Sequence, residues 1–147
     1  MKKYGSRILI VVLTVIVIMG IFLYSFGQEK VKQQRSSKEA TGFTIARLVV
    51  GTEVENNEPV GVAEKFPSST EKVYCFLEAT NITKDTEVSF VWVHEGNELR
   101  EITLPLKTGP RWRTHAYKNL AGLKGNWKVE IRDSRRDILK EINFEIQ

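Results

Sequence analysis

The strongest constraint on this chain is an apolar segment near its N-terminus. Residues 8–26 form nineteen consecutive positions without one charged side chain. As an α-helix rising about 1.5 Å per residue, the segment would reach about 29 Å, close to the roughly 30 Å hydrocarbon core of a bilayer. A helix also satisfies its own backbone hydrogen bonds inside lipid. The sequence therefore predicts one transmembrane helix at 8–26, retained as a signal anchor.

A cleavable signal peptide is the alternative reading of this segment. The apolar part of a signal peptide usually runs for only about 7–15 residues and ends in a site with small residues. The segment here is longer, although Ser25 and Gly27 provide small residues at a suitable spacing. Its length favours retention, and cleavage stays open as the alternative.

Basic residues flank the predicted helix on both sides. The tail 1–7 carries three and the segment 27–41 carries four, so the positive-inside count is nearly balanced. We favour a tail inside the cell and a C-terminal domain outside the cytoplasm, because a basic cluster against a strong apolar run is typical of a signal anchor. Residues 27–41 have almost nothing to bury, which predicts a polar stalk.

The basic character of the chain belongs to these flanks. Residues 1–41 carry seven Lys and Arg against two acids, or +5, whereas residues 42–147 carry fifteen against sixteen, or −1. Basic residues beside a bilayer interact favourably with anionic headgroups. The charge thus predicts a membrane partner and no nucleic-acid partner. Within the domain, 42–98 sums to −6 and 99–147 to +5, so a basic face would survive only if folding kept these halves apart.

The segment 42–147 shows the alternation of apolar and polar residues that is typical of half-buried strands. Val88, Phe90 and Trp92, for example, alternate with Glu87, Ser89 and Val91. Seven such runs occur, at about 43–50, 72–79, 88–92, 99–106, 111–118, 127–131 and 142–146.

About seven short antiparallel strands in this length predict an all-β domain, an immunoglobulin-like antiparallel β-sandwich, with an open barrel as the alternative. Glu95, Gly96 and Asn97 predict a tight hairpin between the third and fourth strands, because Gly and Asn tolerate a positive φ. The connection 51–70 contains Pro59 and Pro67 and is the least regular part. We expect it to cross between sheets.

The fifth predicted strand carries the candidate ligand or partner surface, which consists of Arg111, Arg113, His115, Tyr117 and Lys118. With a period of two, Trp112, Thr114 and Ala116 share one face, and Arg111, Arg113, His115 and Tyr117 share the other. Two guanidinium groups, an imidazole and a phenol could bind phosphate, carboxylate or an acidic glycan. The alternative is structural: the arginines pair with the glutamates of the domain and solvate a strand face.

Large aromatic residues and the single cysteine are interpreted as core. Cys75 lies in the apolar stretch 73–77 and has no second cysteine with which to pair. A reactive thiol needs an electropositive, partly exposed setting, which this strand does not offer. Trp92 and Trp127 are expected between the sheets rather than as sugar-stacking platforms.

Several separated motifs resemble the bacterial family known as domain of unknown function 2914. The most specific is Pro-Arg-Trp-Arg-Thr at 110–114, followed four residues later by Lys118. The other pieces are 57–60, 66–67, 73–76, 92–96 and 125–130. The resemblance implies a β domain that is commonly tethered behind a membrane helix or joined to other modules.

Enzymatic motifs are missing from the sequence. His94 and His115 have no zinc-site spacing, no Gly-rich loop opens a helix, and there is no Gly-x-Ser-x-Gly element. We therefore expect no catalytic residues, cofactor or metal. The predicted function is a single-pass, membrane-anchored, non-catalytic binding module at the cell envelope, whose partner is an envelope protein or an anionic polymer. The alternative is an accessory or weak hydrolase of cell-wall glycan acting through the surface around Arg111, Arg113 and Tyr117.

Overall fold

Residues 42–147, the part of the chain that this computed structural model describes, fold from β-strands. The strands in this range are β1 (Thr44–Gly51), β2 (Glu53–Glu55), β3 (Glu58–Val60), β4 (Lys65–Phe66), β5 (Lys72–Ile82), β6 (Thr86–His94), β7 (Asn97–Leu106), β8 (Gly109–Asn119), β9 (Gly125–Arg132) and β10 (Ile138–Ile146). The predicted transmembrane helix at 8–26 and stalk at 27–41 lie outside the described residues. Within 42–147, no helix has the length and apolar character needed to cross a membrane.

The strands form two main sheets and a small hairpin. One sheet has the order β1-β5-β8, the other has the order β4-β10-β9-β6-β7, and β2 pairs with β3. Every pairing is antiparallel except that of β4 with β10, which is parallel and two residues long. The all-β, antiparallel prediction is confirmed, and the arrangement is an immunoglobulin-like sandwich rather than an open barrel.

The predicted strand number of seven is wrong, since ten strands are present in the described range. The seven predicted runs correspond to β1 and β5 to β10. The additional strands β2, β3 and β4 are only two or three residues long and lie within 51–70. Alternation cannot be recognised over so few residues. The connection crosses between sheets as expected, because it leaves β1 of one sheet and pairs β4 with β10 of the other.

The core lies between the two sheets and is built from apolar side chains of both. Trp92 is fully buried and Trp127 is 1 % exposed, which confirms their interpretation as core. The Phe144 ring packs edge-on against Trp92 at 6.4 Å and stacks on Trp127 at 6.0 Å between ring centroids. Cys75 is buried as a free thiol, as interpreted, and this burial raises its pKa well above the ordinary value.

The outer face of the five-stranded sheet is covered by paired charges. Glu130 and Arg132 occupy alternate positions of β9 that face away from the core, yet they are only 5 % and 9 % exposed. Arg132 pairs with Glu130 and with Glu98, and Lys128 contacts Glu130 at 2.6 Å. Arg132 comes from the basic half of the domain and Glu98 from the acidic half, so folding interleaves the two halves.

The predicted hairpin between β6 and β7 is present, with a difference in its backbone. Positive φ falls on Glu95 (46°) and Gly96 (82°), and Asn97 already begins β7. Glu95 is held in this conformation by β9, because its N–H donates to the Asn126 carbonyl at 3.0 Å and its carboxylate accepts the Asn126 N–H at 2.6 Å. A tertiary contact therefore replaces the local preference of Asn for this position.

Candidate functional site

The strand β8 lies at an edge of the three-stranded sheet. Among residues 42–147 it pairs only with β5, in a regular antiparallel register from Lys72↔Asn119 to Ile82↔Gly109. The two faces follow the predicted alternation. Ala116 is buried and Trp112 packs against the core, whereas Arg111, His115 and Tyr117 are exposed on the opposite face.

Arg113 is neutralised by carboxylates of two other strands. Its Nε lies 2.5 Å from Oε2 of Glu78 on β5, and its Nη1 lies 2.5 Å from Oε1 of Glu58 on β3. Glu58 also accepts a hydrogen bond from Arg47 of β1 at 2.9 Å. The hydrogen bond that Arg113 donates to Glu78, followed by the charge of Glu58, raises the pKa of Arg113. The structural alternative, in which an arginine of this strand pairs with glutamates of the domain, therefore applies to Arg113.

Arg111 has a different environment. Its side chain is exposed, and no carboxylate of the described residues forms an ion pair with it. It lines a surface groove of about 410 Å³ together with Asn57, Trp112 and Arg113. We call this feature the Arg111 groove. It combines an uncommitted guanidinium, the edge of a half-buried indole and a side-chain amide.

The remaining predicted residues divide between two faces. His115 and Tyr117 join an aromatic cluster with Tyr74, whose ring centroid lies 6.0 Å and 5.6 Å from theirs. The Lys72 ammonium lies 4.8 Å from the Tyr117 centroid. These groups share the face of Arg111 and extend it along the strand.

Lys118 does not join this surface. It belongs to the face of Trp112 and Ala116, its ammonium donates to the Asn119 carbonyl at 2.7 Å, and it lies 5.9 Å from the Trp127 ring centroid. The structure thus brings Arg111, Arg113, His115 and Tyr117 together and separates Lys118 from them.

Two residues of the groove were not predicted as site residues from the sequence. Asn57 lies in the turn between β2 and β3 with a positive φ of 63°, and Trp112 was assigned to the core face. A signal was available in the motifs, because Asn57 and Glu58 open one of the family-like pieces and the segment 110–114 is another. These two pieces meet at the Arg111 groove.

A second cavity of about 440 Å³ lies on the outer face of the five-stranded sheet. Its lining is Val93, Glu95, Gly96, Glu98, Asn126, Trp127, Lys128, Glu130, Glu141 and Asn143. Burial of Glu130 acts to raise its pKa, but hydrogen bonds from Lys128 and Arg132 outweigh this, so the pKa lies below its ordinary value. Lys128 also contacts Glu141 at 3.3 Å. Lys128, Glu130 and Glu141 of this cavity are therefore paired with one another, and Glu98 pairs with Arg132.

Among residues 42–147, no three His, Cys, Asp or Glu side chains are grouped so that they could hold an ion. His94 is engaged elsewhere, since its Nε2 lies 2.7 Å from the Lys124 carbonyl and its ring packs on Trp127 at 4.6 Å between centroids.

The fold places the domain among immunoglobulin-like β-sandwiches. Residues 85–146 match the model of the family described as "Protein of unknown function (DUF2914)". The resemblance drawn from the sequence is confirmed over this segment. The motifs at 57–60, 66–67 and 73–76 lie before the matched segment.

Solved structures with a similar strand arrangement include an immunoglobulin-like protein of Pseudomonas aeruginosa. It is 15 % identical, with a TM-score of 0.49, and the alignment covers 71 % of this chain and 96 % of that one. A β-glucosidase of Listeria innocua is 8 % identical with a TM-score of 0.45, covering 71 % of this chain and 15 % of the enzyme. A GH3 β-glucosidase of Bifidobacterium adolescentis is 14 % identical with a TM-score of 0.44, covering 71 % and 17 %. No curated protein matches the chain.

Proposed function

We propose that this protein is a single-pass, membrane-anchored binding module at the cell envelope, without catalysis of its own, and that the Arg111 groove engages a partner bearing carboxylate or phosphate groups. The all-β fold and the family are compatible with a binding role. The anchor is the apolar segment 8–26, and the proposed location of the domain is outside the cytoplasm.

The different environments of Arg111 and Arg113 support the Arg111 groove as the binding site. Two arginines lie two residues apart on the same face of β8, but only Arg113 is held by carboxylates. Glu58 and Glu78 hold the Arg113 side chain in place beside Arg111. Since no described carboxylate pairs with Arg111, its N–H groups are available to an external anion. Guanidinium groups suit such a ligand because they donate to carboxylate or phosphate in a bidentate manner. The neighbouring indole and the Asn57 amide add stacking area and further hydrogen-bonding groups.

The charged cavity on the other sheet does not offer Glu130 as a general acid for glycan hydrolysis. A general acid for glycoside hydrolysis needs a carboxyl group whose pKa is raised. Glu130 in that cavity has its pKa lowered by Lys128 and Arg132 instead. Its proton is lost at a lower pH than that of an ordinary glutamate, which is the opposite of what a general acid requires.

Retention of the detergent-solubilised full-length protein on carboxylate polymers tests the site. We expect retention on immobilised polyglutamate and polygalacturonate, and a roughly ten- to hundredfold weaker affinity in Arg111→Ala, since hydrogen bonds to charged groups contribute about 1.5–3 kcal/mol. Arg100→Ala is the matched control, because Arg100 is an exposed arginine of β7 in the other sheet. Equal retention of the two variants would overturn the proposed site.

Fractionation tests the anchor. Full-length protein should remain with the membranes after alkaline carbonate washing and should keep its first residues. Recovery of the intact chain in the aqueous fraction would overturn the anchoring proposal. Release of cleaved glycan by the purified protein, lost in Arg111→Ala, would favour the hydrolase instead.

A further inference from the structure

A backbone hydrogen bond at the end of β8 determines which way the amides of this strand point. The Leu120 N–H donates to the Glu71 carbonyl at 2.9 Å, in line with the register that pairs Lys72 with Asn119. In an antiparallel ladder, residues alternate between hydrogen-bonded and non-hydrogen-bonded pairs. The even-numbered residues of β8 therefore bond to β5, and the odd-numbered residues turn their N–H and C=O groups away from it.

The outward-pointing groups belong to the same residues as the exposed side chains. Residues 111, 113, 115 and 117 present their amides at the side of β8 that β5 does not occupy, which we call the open edge. Their spacing is about 6.8 Å, two residues of an extended strand. Asn119 ends this array, because its carbonyl accepts a hydrogen bond from Lys118. Among residues 42–147, no other strand pairs with this edge.

The open edge lacks the bulges and the proline that interrupt the edge strands β1 and β7. Natural edge strands are commonly interrupted by bulges or by proline. β1 has an irregular register between Ile45 and Arg47, and β7 contains Pro105 and pairs irregularly with β6 between Trp92 and Val93. By contrast, β8 runs without proline or irregularity from Arg111 to Asn119, since Pro110 precedes this stretch.

We propose that an extended, acidic segment of a partner protein adds to the open edge of β8 as a further strand, with an acidic side chain directed to Arg111. This inference rests on the proposed function and names its partner class. An array of amide donors and acceptors at peptide spacing is matched by another peptide backbone and is not matched by a glycan. Charge complementarity selects an acidic segment, because Arg111 is the guanidinium on this face that no described carboxylate neutralises.

A proline substitution separates backbone pairing from side-chain contacts. His115→Pro removes an amide that points to the open edge and leaves the ladder with β5 intact, whereas His115→Ala removes the imidazole and keeps the amide. The probe is a blocked eight-residue peptide of alternating Glu and Val, titrated into the full-length protein in detergent. Since both variants lack the imidazole, we expect His115→Pro to bind at least about tenfold more weakly than His115→Ala. Equal binding by the two variants would overturn strand addition.

Amide hydrogen exchange on the parent protein gives a readout that does not depend on the folding of His115→Pro. The peptide should slow exchange at Arg113, His115 and Tyr117, while Thr114 and Ala116 should already exchange slowly without it. Unchanged exchange at the three odd-numbered amides would overturn the proposal. Concentration-dependent protection of these amides without peptide would also overturn it, since a second copy of the chain would then occupy the edge.

Anion binding at the Arg111 groove and strand addition at the open edge of β8 can fail separately. If Arg111→Ala weakens binding of both carboxylate polymers but His115→Pro behaves like His115→Ala, the binding function stands and strand addition fails. If neither Arg111→Ala nor His115→Pro changes any retention, both proposals fail.

Discussion

The guanidinium of Arg113 lies directly opposite the carboxylate of Glu78 across the β5–β8 ladder, with 2.5 Å between Nε and Oε2. Glu58, from the β2–β3 hairpin, closes on the same guanidinium from a second direction. The two arginines of the exposed face therefore differ in environment: Arg113 pairs with carboxylates of two other strands, and Arg111 pairs with no carboxylate of the described residues.

Replacement of these two arginines should separate stability from binding. Arg113→Ala leaves Glu58 and Glu78 facing each other without their shared cation, so we expect it to lower the melting temperature by several degrees. Arg111→Ala should leave the melting temperature nearly unchanged, because it removes no internal ion pair of the described domain. Thermal unfolding followed by near-ultraviolet circular dichroism measures both. Equal melting temperatures for the two variants would contradict the assignment.

The buried charge network around Arg132 should contribute strongly to stability. The Arg132 side chain is 11 % exposed and pairs with Glu130, which is 6 % exposed. Removing one partner of a buried pair leaves an uncompensated charge, so Arg132→Ala should lower the free energy of unfolding by about 2–4 kcal/mol. Arg135→Ala provides the control, since that side chain is 65 % exposed and should change the free energy by less than about 0.5 kcal/mol. Urea unfolding that gives similar values for the two variants would argue against the network.

The same network predicts how stability depends on pH. Burial of Glu130 opposes ionisation, but Lys128 and Arg132 prevail and lower its pKa in the folded protein below the ordinary 4.5. A group with a lowered folded-state pKa stabilises fully above its unfolded-state pKa and loses this contribution as the pH falls through the folded-state value. The parent should therefore lose stability below about pH 4.5, and Glu130→Gln should reduce that acid slope. Parallel pH profiles for parent and variant would refute the Glu130 contribution.

Substitution of the tryptophans should distinguish the core from the groove. Trp127 is 1 % exposed, so Trp127→Ala should destabilise the domain by about 3–5 kcal/mol. Trp112 is half-buried at the rim of the Arg111 groove, and Trp112→Ala should cost less than about half of that while weakening retention on carboxylate polymers. Denaturant unfolding measures the first effect and affinity chromatography the second. A Trp127→Ala protein as stable as the parent would mean that this indole is exposed in solution.

Much of the fold could be predicted because it depends on long alternating runs. The segment at 88–92 has three apolar side chains on one face, and the structure buries all three in β6. The short strands β2 to β4 could not be predicted, since two or three residues show no period. Their positions depend on tertiary pairing, such as that of β4 with β10.

The candidate site was predictable only in part. Alternation placed Arg111, Arg113, His115 and Tyr117 on one face, but it could not distinguish an arginine held by Glu58 and Glu78 from one that is not. Those carboxylates lie 55 and 35 residues before Arg113, so their approach depends on the sheet register and the β2–β3 hairpin. Asn57 was missed for the same reason. Lys118 was placed with this surface by its nearness in sequence, whereas strand geometry turns it to the opposite face.

Photo-crosslinking in native membranes tests the central claim most directly. A photoreactive phenylalanine analogue at position 57 stands at the wall of the Arg111 groove, and the same analogue at position 99, on exposed β7, is the control. The account predicts an adduct from position 57 in the membrane fraction that disappears when Arg111→Ala is added and does not form from position 99. Identical adducts from both positions, or an adduct from position 57 that persists in Arg111→Ala, would contradict it.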